Sequence, residues 1–99
     1  MSPAANIARS GLSAAMLRLD SAAHNIANAQ TPGFRRQQVV QQAQAGGGVA
    51  ANTTRAGQIG TDLATELVEQ MQALYAFKAN LQVIKVQDRI IGSLLDTQA

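Results

Sequence analysis

The chain has 99 residues and therefore holds one domain at most. Eight Lys and Arg against six Asp and Glu leave a net charge of +2, and there is no Cys, no Trp and only 3% aromatic residue. That excludes a disulfide scaffold, a Cys-based metal site and a thiol enzyme. Nineteen Ala and twelve Gln favour long helices over a core with a deep pocket. The charge is close to neutral for this length and shows no clustered basic patch, so no nucleic-acid partner is expected. The N-terminal stretch carries Asn6, Arg9 and Ser10 and lacks the apolar run of a cleaved signal. No segment approaches the ~18 consecutive apolar residues of a membrane span, so no membrane insertion is expected.

The first periodic segment predicts a helix over about residues 2–29. Ser2 suits the N-cap, and Pro3 suits the first helical position, where its missing N–H costs nothing. Ala8, Leu12, Ala15, Leu19, Ala22 and Ile26 then step alternately by four and three, the repeat of a coiled-coil seam. Large residues (Leu12, Leu19, Ile26) alternate with alanines, which lets a partner helix approach closely. Thr31-Pro32-Gly33 ends the helix, because Pro32 disfavours helical geometry at Thr31 and Gly33 permits a turn. At that elbow Gly33 is expected at positive φ and Phe34 as a packed anchor, so Gly33→Val should hinder assembly more than Gly47→Val.

The middle, about residues 30–60, shows no helical period. Phe34 to Val40 reads as a short extended or helical piece. Gly46-Gly47-Gly48 and the small and polar run to Gly60 read as a flexible linker.

The second periodic segment predicts a helix over about 61–96, capped by Thr61 or Asp62. Its seam runs Leu63, Leu67, Gln70, Leu74, Phe77, Leu81, Ile84, Asp88, Ile91 and Leu95. Val83, Val86, Ile90 and Leu94 add a second stripe, too wide for a single partner helix. The expected fold is thus all-α: two long helices in an N-/C-terminal coiled-coil hairpin, joined by a Gly/Ala/Gln-rich flexible linker, as one domain over 1–99. Residues 1–60 hold five basic and one acidic residue (+4), and 61–99 three basic and five acidic (−2). Surplus apolar surface and opposite-signed halves point to association with other copies.

Chemistry-bearing constellations are sparse. His24 is the lone histidine and reads as solvated. Asp62, Glu66 and Glu69 suit the positive end of a helix dipole and carry no catalytic reading. Gly46-Gly47-Gly48 lacks the Lys-Ser/Thr and preceding strand of a phosphate loop. Arg35-Arg36 is too small a basic pair for a nucleic-acid footprint. Asn25 and Asn28 read as ordinary polar residues at a helix end. No catalytic residue, cofactor or metal is expected.

Ser10-Gly11-Leu12, Ala14, Leu19-Asp20, Ala23, Asn25-Ile26-Ala27-Asn28 and Thr31-Pro32-Gly33-Phe34-Arg35 together resemble the N-terminal signature of the bacterial flagellar basal-body rod protein family. Asp62-Leu63, Glu66-Leu67-Val68, Met71, Ala76-Phe77-Lys78-Ala79-Asn80, Val83-Ile84, Asp88 and Leu94-Leu95 are similar to that family's C-terminal segment. Two departures stand out: Phe77 occupies a usual Tyr position, and Leu74-Tyr75 replace a more polar pair. The β-rich domains that hook and distal-rod members insert between the helices are missing. The resemblance implies a short, proximal-rod-like structural subunit, not an enzyme. It also implies coiled-coil assembly with its own copies and other rod subunits into a helical axial tube. Delivery to the periplasmic rod by the flagellar type III export apparatus is implied in the same way. The competing reading is a cytosolic helical interaction or adaptor module related to rod proteins.

Overall fold

The computed structural model describes residues 3–98, and the expected cap Ser2 lies outside them. Helix α1 runs Pro3–Ala27, strands β1 and β2 run Gln37–Ala43 and Val49–Arg55, and helix α2 runs Leu63–Gln98. An all-α hairpin with a flexible linker is therefore not what the chain forms. The middle folds as a two-stranded antiparallel sheet, with Gln37 opposite Arg55 and Ala43 opposite Val49.

The reason lies in the residues that flank the glycines. Val39-Val40 on one side and Val49 with Thr53-Thr54 on the other are β-branched, and a short Gly-bearing loop between such runs is a hairpin pattern. Two backbone bonds close the loop: the Gln44 amide donates to the Gly48 carbonyl and the Gly47 amide donates to the Gln44 carbonyl, each at 3.0 Å. Gly47 takes φ 95°, a conformation that a β-carbon would strain.

Two other local features set the element ends. After Ala27 the chain turns through a series of short bonds, Asn28 N–H to His24 O, Thr31 N–H to Asn28 O and Phe34 N–H to Thr31 O. Gly33 sits at φ 73° within that turn. At the start of α2, Asp62 is the cap: its Oδ1 accepts the Ala64 amide at 3.1 Å and its Oδ2 accepts the Thr65 hydroxyl at 3.1 Å.

Helix α1 is the middle layer. The strands rest on α1 and not on α2, and α2 packs antiparallel along another face of α1. Toward α2, α1 presents Gly11, whose missing side chain leaves room for Asn80; a β-carbon there would lie 2.6 Å from the Asn80 Oδ1. Toward the hairpin it presents Ile7 and Ser10, which meet Gly47 and Gly48. The Ser10 hydroxyl accepts the Val49 amide at 3.0 Å and donates to the Ile7 carbonyl at 2.7 Å.

A helix covered on two faces needs small side chains on both, and the buried apolar residues reflect this. They are Ala5, Ala8, Ala14, Ala15, Ala22 and Ala73, with Phe34 as the one large member among the described residues. The molecule is correspondingly long and thin, 63 × 25 × 14 Å.

Candidate functional site

Two parts of the molecule stand out, one polar and buried, the other apolar and exposed. The polar part is the elbow, where α1 ends, the hairpin begins and α2 starts. Asn25 is fully buried in the last turns of α1. Its Oδ1 accepts the Gln37 amide at 2.7 Å, and its Nδ2 donates to the Gln37 carbonyl at 2.8 Å and to Glu66 Oε2 at 3.1 Å. Both backbone groups of Gln37 are thus held by one side-chain amide, which gives β1 a defined start.

Glu66, only 1% exposed, is the meeting point of the three segments. Its Oε1 accepts from Arg36 Nε at 2.6 Å and from the Thr61 hydroxyl at 2.9 Å. Burial pushes this carboxyl up and is the largest single influence. The hydrogen bonds from Arg36, Asn25 and Thr61, with the Arg36 charge, together outweigh it and hold the group below the ordinary carboxylate value. Both carboxylate oxygens are engaged by fixed partners, an arrangement that holds chain segments together.

Phe34 completes the elbow. It is 8% exposed and packs against the His24 ring in a T-shaped arrangement, 5.5 Å between centroids. Asn28 donates from Nδ2 to the His24 carbonyl at 2.9 Å, and its Oδ1 accepts from the Thr31 hydroxyl at 3.2 Å. The motif residues Asn25, Asn28, Thr31, Gly33 and Phe34 therefore lie within one turn structure, with Thr31, Pro32 and Gly33 on its exposed side. Ser10 and Gly11 lie far from it along α1, at the hairpin tip and at Asn80 respectively.

The seam residues divide by position. Leu12, Leu19, Ile26, Phe77, Leu81 and Ile84 are half-buried, whereas Leu63, Leu67, Leu74, Ile91 and Leu95 are exposed. Leu19, Leu67, Met71 and Leu74 line an apolar groove of about 460 Å³ between the helices.

Beyond it, α2 outruns α1. Gly11 stands opposite Asn80, and Pro3 lies eight residues before Gly11, so the described part of α1 reaches only to about residue 88 of its antiparallel partner. The turns of α2 past that point carry Ile90, Ile91, Leu94 and Leu95, all exposed.

Sequence reasoning missed the elbow network. Asn25 had the reading of a helix-end polar residue and Glu66 that of a dipole partner. Their juxtaposition depends on β1 turning back along α1, which the linker reading did not include. The available signal was an isolated Arg35-Arg36 pair just past the turn, with a lone carboxylate in the first turn of the next helix. Among the described residues no group of three or more His, Cys, Asp or Glu is placed to hold a metal ion. No described helix is long and apolar enough to cross a membrane.

Residues 5–35, which comprise most of α1, the elbow and Phe34, match the family model described as flagella basal body rod protein. No curated protein matches the chain.

Proposed function

We propose, from the match of residues 5–35 to the flagella basal body rod protein family, that the chain is a structural component of the flagellar basal body, a rod subunit that assembles with its own copies and other axial subunits into a helical tube. In this reading the helices form the inner, coiled-coil part of the tube wall, and the subunit reaches the periplasmic rod through the flagellar type III export apparatus.

The observation that carries the proposal is the apolar surface of α2. Leu63, Leu67, Met71 and Leu74 near its start, and Ile90, Ile91, Leu94 and Leu95 near its end, remain exposed in the single chain. Contiguous exposed apolar surface marks an interaction site. Two unlike sticky surfaces at separate positions suit a head-to-tail contact, which with a screw rotation builds an open filament. The thin alanine core supports the same reading, since alanines contribute little burial energy and neighbouring subunits would supply more.

The test is genetic and structural together. A strain lacking the chain should be non-motile and yield no hook-basal bodies, and the wild-type chain supplied in trans should restore both. Normal basal bodies from the deletion strain would contradict the rod assignment.

A further inference from the structure

We propose that the Glu66 carboxylate is an acid-sensitive latch: ionised, it holds the β1–β2 hairpin against the helix pair, and its protonation releases the hairpin while the two helices stay together. The placement of the contacts carries this. The base of the hairpin is attached through Arg36 and Gln37. Arg36 pairs with Glu66 directly at 2.6 Å. Gln37 is held by Asn25, whose amide is itself oriented by Glu66. One buried carboxylate therefore organises the side-chain bonds of Arg36 and Gln37 that tie the base to the helices.

The remaining attachments to α1 are Phe34, buried against the His24 ring just before β1, and the packing of Gly47 and Gly48 on Ile7 and Ser10. The strands are largely exposed, with only Gln37, Val39, Val49 and Ala51 half-buried. A two-stranded sheet is marginal without support from another element. At the far end the tip is attached by the Ser10 hydroxyl to the Val49 amide, a bond that does not titrate. The helix pair meets through Gly11 against Asn80 and through buried alanines, which do not titrate, and in addition through the Asn25–Glu66 bond and the partly exposed Arg18–Glu69 pair.

The charged groups around Glu66 come from each element packed there. Arg36 approaches from the segment before β1, Arg18 from α1 and Glu69 from α2, and these line the same cleft. Asp62 caps the helix that carries Glu66. Of the carboxylates, Glu69 is the other one facing an arginine, Arg18 at 3.5 Å, and both of those side chains are partly exposed to solvent that screens them. Protonating Glu66 removes the acceptor charge from Arg36 and leaves that guanidinium half-buried without its counter-ion. The folded-state carboxyl titrates below the ordinary value, so the docked state gains stability above that value and loses it as pH falls through the folded-state value.

The experiment is amide hydrogen exchange on the full chain, at a concentration where it is helical, followed from pH 7 to about pH 3 alongside far-UV circular dichroism. Protection of residues 37–55, corrected for intrinsic exchange, should fall by about tenfold or more at acid pH while helicity persists. Glu66→Gln should show the released hairpin already at pH 7. Glu66→Gln combined with Arg36→Gln lacks the carboxylate as well and should show the released hairpin at every pH, with no acid transition. Glu69→Gln should leave the acid transition in place. Loss of hairpin protection and helicity in one step would overturn the latch, as would an unchanged acid transition in the double variant.

Discussion

At its first turn α2 sinks a carboxylate, Glu66, to 1% exposure, whereas at its last turns it leaves Leu94 and Leu95 60% and 63% exposed. This inverts the usual placement of charged and apolar residues. The inversion follows from what faces each end. At the first turn three segments of the same chain converge and supply Arg36, Asn25 and Thr61, so the charge is fully partnered. Past about residue 88 the described part of α1 has ended, and the described residues leave the leucines exposed. The polar end thus serves the subunit's own fold, and the apolar end suits the proposed assembly.

The comparison can be broken at either end. The largest effect is expected at the elbow. Arg36→Ala strands a buried carboxylate and should destabilise the chain by ~3–5 kcal/mol, read by chemical denaturation. Next comes the helix contact between the two ends. Gly11→Val places a β-carbon 2.6 Å from Asn80, whose side chain is also bonded to the Ala76 carbonyl at 2.8 Å, so overpacking should cost ~1–3 kcal/mol in the same assay.

Gly47→Val and Gly33→Val sharpen the account of the middle. Both residues have positive φ, which costs ~1–2 kcal/mol for a residue with a β-carbon. Only at Gly47 would the new atom also meet a neighbour, the Ile7 Cδ1 at 2.9 Å, whereas Gly33 has open space. Thermal unfolding should therefore show Gly47→Val at least as harmful as Gly33→Val. The elbow reading ranks Gly33→Val as the more harmful for assembly, which is a separate measurement. The smallest effect on the fold is expected at the other end: Leu95→Ala should change single-chain stability by no more than ~0.5 kcal/mol.

The helices were legible because their signals are local. The four-three alternation from Ala8 to Ile26 and the cap at Asp62 can be read without knowing what lies across from them. The hairpin was legible in principle from Val39-Val40, Val49 and Thr53-Thr54 around Gly46-Gly47-Gly48. The Ala, Gln and Gly between them resembled a linker, because a strand pair resting on a helix of small residues needs few large apolar side chains of its own. The elbow was only half legible. Pro32 and Gly33 announce a turn by their own backbone restrictions. The Asn25–Glu66 bond spans 41 residues, and a single sequence carries no local mark of such a partner. The seam showed a related limit: periodicity located Leu63, Leu67, Ile91 and Leu95 on α2, but their exposure depends on where α1 ends.

The central claim is that the exposed turns of α2 serve association while the elbow holds the subunit. Its most direct test is sedimentation across a concentration series, with helicity measured on the same samples, for the wild-type chain and for Ile91→Ser/Leu95→Ser. The account predicts that the wild type grows in mass and gains helicity with concentration. The double variant should match the helicity of the dilute wild type and stay small throughout. A variant that assembles like the wild type, or that loses helicity when dilute, would contradict it.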